Sequence, residues 1–352
     1  MIINRNTMQY LRTFFLTLLV TVFVNCSKSN GNSDNYPADA PSNITITYVV
    51  SPDNSGNVSF TASATNAVNF EYDFGNGYFA TSSSGSAIYK YPVSGTYTVN
   101  VTAKSNSGKS ATKSVQLVIS TVTSLIWSDE FNTAGAPDPA KWGYDIGTGS
   151  GGWGNNESEY YTNRSDNVTV SDGTLKIKAQ KESYNGSGYT SARLLSKGKF
   201  SFKYGKIEVR AKLPAGGGTW PAIWMLGDNS STVAWPACGE IDIMEHKGND
   251  LNKIYGTFHY PEHSGANGMG GNVVITNATT EFHIYSLDWT ASKIQIAVDG
   301  NVFYTLNNLS SLPFNQNFFA ILNLAVGGNF AGAVDPNFTS GVMEVDYVRV
   351  YQ

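Results

Sequence analysis

The sequence has little cysteine, little charge and no long hydrophobic run. Two of its 352 residues are cysteines, and 14% are Asp, Glu, Lys or Arg, with a formal net charge of −4. Two cysteines cannot supply a disulfide framework. The absence of a basic stripe argues against nucleic acid as a partner. The longest apolar run, residues 14–24, is shorter than a membrane span.

A convincing amphipathic helix is also missing beyond the first residues. Short runs of Val, Ile, Thr and Tyr instead alternate with Gly, Asn, Asp and Ser clusters, which predicts an all-β chain of two or three domains. The segment IAVDGNVFYTL predicts a hairpin, because Asp299 and Gly300 tolerate the positive φ angles of a tight primed turn. The many aromatic and Asn residues suit a neutral polar ligand such as a glycan.

The N-terminus is predicted to be a targeting segment. Arg5 and Arg12 precede the apolar run, and Cys26 follows its end. A cysteine in this place resembles the lipidation site of a bacterial lipoprotein signal, although Asn25 stands where such signals usually have Gly, Ala or Ser. The alternative is an ordinary secretory signal with an incidental cysteine.

We therefore predict a signal segment over residues 1–26 and a polar linker over residues 27–42. The mature protein is expected to be exported. Lipidation would anchor it to the outer membrane, at the cell surface or on the periplasmic face, and without lipidation it would be secreted. A lipidated Cys26 cannot pair with Cys238, which we expect to be a small buried residue.

Residues 43–120 are predicted to form a small β-sandwich. The segments YDFGNG, at 72–77, and GTYTV, at 95–99, resemble those of a polycystic-kidney-disease-type (PKD) repeat. The resemblance implies an immunoglobulin-like spacer. Residues 124–352 form the second predicted domain, whose many short strands suggest a two-sheet sandwich with one curved face and a cleft.

The stretch GEIDIMEH carries three acids on an apolar strand. In a regular strand Glu240 and Asp242 share a face, whereas Glu245 lies one residue out of step. A β-bulge would restore Glu245 to that face. Two glutamates could then approach the ~5–5.5 Å separation of a retaining glycosidase, with the trio sharing a proton. The alternative is a strand with one solvated acidic face.

This stretch resembles the E-x-D-x-x-E motif of glycoside hydrolase family 16. The segments WGNNESEYYT, GTWPAIWMLG, YGTFHY and LNLAVGG also resemble that family's laminarinase-like branch. The resemblance implies a β-jelly-roll sandwich with a concave cleft and retaining hydrolysis. It assigns Glu240 as nucleophile, Asp242 as assisting carboxylate and Glu245 as acid/base.

The same resemblance marks six candidate sugar-binding residues. They are Trp220, Trp224, Trp235, Asn155, Arg193 and His259. Trp220 and Trp224 are four residues apart and should project from one strand face. His259 has an alternative reading as a hydrogen-bonded core histidine.

The predicted activity is endo-hydrolysis of β-1,3-glucan. The alternatives are a mixed-linkage β-1,3-1,4-glucanase, an agarase-type enzyme, a transglycosylase and a non-catalytic glucan-binding protein. One departure is NESEYY in place of the family's usual NELQYY, which puts local loop packing in question.

Catalysis is expected to need no cofactor, and the protein is expected to be a monomer. The resemblance implies a possible structural Ca²⁺ at Glu130, Gly173 and Asp346. Ordinary surface acids are the alternative reading of these positions.

Overall fold

The computed structural model describes residues 39–121 and 123–352, which form two β-sandwiches. The predicted signal segment, with its Cys26, and residues 27–38 of the predicted linker lie outside the described residues. No helix in the described ranges is long and apolar enough to cross a membrane.

The first sandwich has seven strands in two sheets. They are β1 (Ser42–Val50), β2 (Asn57–Thr65), β3 (Asn69–Asp73), β4 (Phe79–Ser82), β5 (Ser86–Lys90), β6 (Gly95–Lys104) and β7 (Ser110–Ile119). One sheet has the order β1-β2-β5 and the other β4-β3-β6-β7. Alternate residues of the strands point inward, so that Phe60, Tyr72, Phe74 and Tyr91 fill the space between the sheets. The predicted immunoglobulin-like sandwich is confirmed.

The second sandwich has seventeen strands. They are β8 (Leu125–Asp129), β9 (Gly143–Tyr144), β10 (Glu159–Tyr161), β11 (Val168–Ser171), β12 (Thr174–Tyr184), β13 (Ser187–Ser191), β14 (Arg193–Leu195), β15 (Gly205–Lys212), β16 (Thr219–Gly227), β17 (Glu240–His246), β18 (Lys253–His259), β19 (Met269–Val274), β20 (His283–Trp289), β21 (Lys293–Val298), β22 (Asn301–Asn307), β23 (Phe318–Val326) and β24 (Ser340–Tyr351). A single turn of α-helix, α1 (Gly328–Ala331), follows β23. Two 3₁₀ turns span Asp228–Ser231 and Gly265–Asn267.

These strands form a ten-stranded and a seven-stranded sheet. The order in the larger sheet is β10-β13-β12-β24-β15-β20-β21-β22, with β11 on β12 and β8 on β24. The smaller sheet has the order β19-β18-β17-β16-β23-β14-β9. The two sheets bury one continuous core between them, as the predicted jelly-roll sandwich requires.

The hairpin predicted in this sandwich is confirmed. The hairpin of β21 and β22 turns at Asp299 and Gly300, whose φ angles are 50° and 76°. Trp142 and Trp289 are core residues with 2% and 1% exposure. Burial of such large apolar side chains contributes about 25 cal/mol for each Å² removed from water, so the core stabilises the sheet on which the acids stand.

Candidate active site

A β-bulge in β17 places the three acids on one face of the seven-stranded sheet. The pairs between β17 and β16 are Glu240 with Leu226, Asp242 with Trp224, and Glu245 with Ala222. Three steps along β17 from Asp242 to Glu245 therefore match two steps along β16, and the pairing with β18 shows the same shift. Alternate residues of β16 share a face, so the three acids opposite them also do. The predicted bulge is confirmed.

The remaining residues of β17 explain why the strand stays in place. Ile241 and Met244 point into the core between the sheets and are fully buried. The neighbouring strands β16 and β18 satisfy the backbone on both sides. The acids are therefore held by a central strand of the sheet rather than by a loop, which limits how far they can move apart.

Burial changes the protonation of all three acids. Asp242 is 4% exposed and Glu245 9%, whereas the side chain of Glu240 keeps 18% of its surface exposed. Loss of hydration raises the pKa of each carboxyl to about 8, and the charge of Asp242 adds to the increase for both glutamates. Burial therefore favours the protonated form of these carboxyls at neutral pH, and the sharing of a proton among them stays a prediction.

Each outer glutamate accepts a hydrogen bond from an indole. Trp220 Nε1 donates to Glu245 Oε1 at 3.1 Å, and Trp235 Nε1 donates to Glu240 Oε2 at 3.0 Å. The hydroxyl of Thr257 lies 3.4 Å from Glu245 Oε2. These contacts fix the two carboxyl groups while leaving Glu240 Oε1 without an indole partner.

His259 belongs to the acidic cluster rather than to the core. Its Nε2 atom lies 3.2 Å from Asp242 Oδ2 and 3.8 Å from Glu240 Oε1. Its ring also lies 5.9 Å from that of Trp235. A Cβ atom at Gly268 would come within 2.8 Å of the imidazole, so glycine allows the backbone to approach this ring. The alternative reading of a core histidine is not what the structure shows.

A second cluster lies on the same sheet face beside the acids. The guanidinium of Arg193 lies 4.7 Å from the ring centroid of Trp224 and 4.6 Å from that of Trp153. Arg193 Nε is also 3.0 Å from Asp145 Oδ2. Stacking and ion pairing hold this flat group between two indoles, an arrangement that offers planar apolar and polar surfaces to a sugar.

A hydrogen-bond chain beneath this cluster was missed by the sequence reasoning. Trp224 Nε1 donates to Asn323 Oδ1 at 2.7 Å, and Asn323 Nδ2 donates to the Tyr161 hydroxyl at 3.0 Å. The Tyr161 hydroxyl in turn donates to Glu157 Oε2 at 2.9 Å. Asn155, predicted to contact sugar, donates to Glu157 Oε1 at 3.3 Å. The chain therefore connects Asn155 to Trp224.

Glu159 is a fully buried acid next to this chain. Its Oε2 atom accepts the backbone N–H of Val326 at 2.6 Å, and no described donor reaches its Oε1 atom. Burial first, and then repulsion from Glu157, raise the pKa of Glu159 well above its usual range. Burial therefore favours the uncharged form of Glu159. The alternation of residues 157, 159 and 161 was the sequence signal that could have identified this inward-facing row.

The residues predicted to hold calcium lie elsewhere on the sandwich. Both carboxylate oxygens of Glu130 accept hydrogen bonds from Arg349, at 2.9 and 2.7 Å, and Asp346 pairs with Arg210. Gly173 lies in the turn between β11 and β12 with a φ of 74°. Guanidinium groups already pair with both oxygens of Glu130 and with one oxygen of Asp346, and calcium binding stays a prediction.

Cys238 is buried next to β17, as expected. Burial raises the pKa of its thiol, which keeps it protonated and unreactive. Among the described residues, the acids therefore remain the candidate nucleophiles.

Comparisons with known proteins give consistent matches. A family model described as Glycosyl hydrolases family 16 matches residues 155–349, more than half of the chain, and one described as PKD domain matches residues 44–118. A beta-glucanase of Rhodothermus marinus is 45% identical over 244 residues, covering 65% of this chain and 85% of that protein.

Solved structures match as well. The laminarinase from Rhodothermus marinus has a TM-score of 0.62 at 45% identity, covering 66% of this chain and 98% of that structure. A LamA variant from Zobellia galactanivorans, in complex with laminaritriose and laminaritetraose, has a TM-score of 0.60 at 46% identity, covering 65% and 98%.

Proposed function

The chain belongs to the glycosyl hydrolases of family 16, and from this premise we propose that it cleaves internal β-1,3 bonds of laminarin-type glucans with retention of configuration. The observation that carries the proposal is the bulge that turns Glu240, Asp242 and Glu245 toward one face. Retaining hydrolysis needs two carboxyl groups on one site, one as nucleophile and one as acid.

The two glutamates divide the chemistry. Glu240 attacks the anomeric carbon through Oε1, the oxygen that Trp235 leaves free, while Glu245 protonates the departing glycosidic oxygen. The raised pKa of Glu245, about 8, keeps the needed proton in place at neutral pH. In the second step Glu245 takes a proton from a water molecule whose oxygen bonds to the anomeric carbon, and the bond from that carbon to Glu240 breaks, which releases the sugar.

Asp242 and His259 control the charge of the nucleophile. Asp242 lies beside Glu240 and shares a proton with it, so that the pair avoids two adjacent negative charges. His259 lies within ion-pair distance of both carboxylates, and its charge lowers the pKa of Glu240. With the shared proton on Asp242 and a positive charge on His259, Glu240 can ionise for the attack.

Similarity to laminarinases supports the choice of β-1,3-glucan, since one related structure holds laminaritriose and laminaritetraose. The planar surfaces of Trp224 and Arg193 would bind successive glucose rings by stacking and hydrogen bonding. A panel of laminarin, lichenan, agarose and carrageenan, analysed by product size, tests the substrate. Release of long oligosaccharides from laminarin is expected, whereas preferential cleavage of lichenan or agarose would contradict the proposal.

The anomeric configuration of the first product tests the stereochemistry. Proton NMR during the first minutes of hydrolysis should show the β-anomer before mutarotation, because two inversions restore the configuration. Initial appearance of the α-anomer would identify an inverting enzyme. Glu240→Ser should lose essentially all turnover and still bind laminaritriose, which separates the enzyme from a glucan-binding protein.

We further propose that Cys26 anchors the exported enzyme by lipid. The support is the position of this cysteine after the apolar run 14–24. Metabolic labelling with an alkyne fatty acid should mark the native protein in the membrane fraction, and Cys26→Ser should lose the label. A native protein that is unlabelled and found in the medium would contradict the anchor.

A further inference from the structure

Three potential metal ligands converge at one end of the acidic cluster. Glu240, Asp242 and His259 each offer one ligand atom, and these atoms all lie within 4.8 Å of one another. Asp242 is 96% buried, and its Oδ2 atom accepts no hydrogen bond from any described residue. His259 Nε2 lies 3.2 Å from this oxygen without hydrogen-bond geometry, so a cation bound between the two would give the buried oxygen a partner.

Two of the three separations between these atoms approach those of a tetrahedral transition-metal site, and the third, between the two carboxylate oxygens, is within 4.8 Å. Zinc bonds to His nitrogen and carboxylate oxygen are about 2.0–2.2 Å long, so two ligands at a tetrahedral angle lie about 3.3 Å apart. His259 Nε2 is 3.2 Å from Asp242 Oδ2 and 3.8 Å from Glu240 Oε1. One of these separations already fits, and the other needs a shift of a few tenths of an ångström.

The site is also accessible. The side chain of Glu240 is 18% exposed, and Trp235 holds only its Oε2 atom, so Oε1 stays available on the open face of the sheet. Three protein ligands would leave the fourth position to water. A mixed set of one imidazole and two carboxylates suits Zn²⁺ or Cu²⁺, whereas Ca²⁺ and Mg²⁺ require more oxygen ligands.

We propose that Glu240, Asp242 and His259 form a binding site for one divalent transition-metal ion such as Zn²⁺. Occupation of this site reversibly blocks the nucleophile. The metal bonds to Glu240 Oε1, the atom that attacks the sugar, so bound metal and substrate exclude each other. The inhibition rests on the proposed function, whereas the binding itself does not.

The surroundings of His259 set the strength of the site. Ligating histidines usually donate their second ring N–H to a carboxylate or carbonyl group, and loss of that partner lowers metal affinity about 10–100-fold. No described residue accepts a hydrogen bond from His259 Nδ1. The metal is therefore a reversible inhibitor that responds to its free concentration, not a resident cofactor.

Isothermal titration of the untagged full chain with ZnCl₂ tests the binding without any substrate. The native protein should bind one Zn²⁺, and Asp242→Asn and His259→Gln should each bind it at least about tenfold more weakly. His283→Gln is the matched control, because His283 also lies beside a carboxylate, 2.7 Å from Asp299 Oδ2, but forms only a pair. This control should bind Zn²⁺ as the native protein does.

Kinetics test the second half of the proposal. Zn²⁺ should inhibit laminarin hydrolysis competitively, EDTA should restore the rate, and Ca²⁺ should have no such effect. Unchanged Zn²⁺ affinity in both Asp242→Asn and His259→Gln would overturn the site, as would a native protein that binds no Zn²⁺ at millimolar concentration. If Zn²⁺ binds as expected but laminarin is not hydrolysed, the site stands and the proposed function fails.

Discussion

The indole of Trp220 and the carboxyl group of Glu245 form a 3.1 Å hydrogen bond between neighbouring strands of the seven-stranded sheet. The N–H group can only donate, so the bond favours the ionised form of Glu245 and opposes part of the increase in pKa caused by burial. The indole therefore leaves Oε2 as the oxygen that can carry the proton that we propose Glu245 transfers to the leaving group.

Removal of that N–H group should change the alkaline side of the pH–rate profile. Trp220→Phe takes away a donor that stabilises the anion, so the pKa of Glu245 rises further and the fall in kcat/KM moves to higher pH. We expect a loss of about tenfold in kcat/KM at neutral pH, since a hydrogen bond to a charged group contributes about 1.5–3 kcal/mol.

Trp235→Phe is the matched variant for the nucleophile. The indole of Trp235 donates to Glu240, which must be ionised to attack. Loss of this donor should raise the pKa of Glu240 and move the acidic limb of the pH–rate profile to higher pH. Initial rates from pH 4 to pH 10 measure both effects. Identical shifts of the same limb in the two variants would contradict the assigned roles.

The bulge was predictable from the spacing of acids in GEIDIMEH, because only an extra residue brings Glu245 to the face of Glu240. The turn at Asp299 and Gly300 was predictable for a similarly local reason, the positive φ angles it requires. Both features follow from a few consecutive residues. The alternation of apolar and polar residues that indicated the two sandwiches is likewise visible within a few consecutive residues.

Contacts between distant residues could not be predicted in this way. Asn323 is 99 residues from Trp224 and 162 from Tyr161, and nothing in the local pattern of either segment specifies their hydrogen bonds. Arg349 is 219 residues from Glu130 and occupies a carboxylate that the sequence suggested for calcium. These contacts depend on strand order, which a single sequence does not reveal.

Glu159→Gln should stabilise the protein at neutral and alkaline pH. The pKa of Glu159 is higher in the folded state than in the unfolded state, so unfolding releases a proton and stability falls as pH rises above the ordinary value of 4.5. Glutamine keeps the shape and an acceptor for the Val326 N–H without this penalty. Thermal unfolding should show equal midpoints for the variant and the native protein near pH 4. At pH 8 the midpoint of the variant should be several degrees higher, since each kcal/mol of added stability raises the midpoint by ~2–4 °C.

Glu182→Gln provides a control of opposite sign. Hydrogen bonds from Thr190, Gln180 and Arg164 lower the pKa of Glu182 to about 2, so its stabilisation is present above the ordinary pKa and is lost as pH falls. This variant should be less stable than the native protein at pH 8 and converge with it near pH 2. A Glu159→Gln variant that is destabilised at pH 8 would show that Glu159 is charged in the folded protein.

Tyr161→Phe should weaken both stability and sugar binding. The hydroxyl group accepts from Asn323 and donates to Glu157, so its loss removes one partner of a buried amide and one of a partly buried carboxylate, at a cost of about 1–3 kcal/mol. Trp224 then loses its fixed orientation, and KM for laminarin oligosaccharides should rise more than kcat falls. Tyr285→Phe is the control, because the buried Tyr285 hydroxyl has no hydrogen-bond partner among the described residues. Equal effects of the two variants would remove Tyr161 from this role.

Calcium is expected to raise the thermal midpoint if Glu130, Gly173 and Asp346 hold it. Binding requires the carboxylates of Glu130 and Asp346 to leave Arg349 and Arg210, so the gain should be small and should disappear in Asp346→Asn. Scanning calorimetry of EDTA-treated protein with and without millimolar CaCl₂ measures it. An identical midpoint in both samples would assign these residues to ion pairs alone.

Mass spectrometry of a trapped glycosyl-enzyme tests directly whether Glu240 is the nucleophile. The proposed mechanism requires Glu240 and Glu245 to act from the same face of the bulged strand. A 2-deoxy-2-fluoro glucoside with a good leaving group should add one sugar mass to the protein, and proteolysis should place it on the peptide that contains Glu240. Trapping should be lost in Glu240→Gln. A label on any other residue, or unimpaired hydrolysis by Glu240→Gln, would contradict the account.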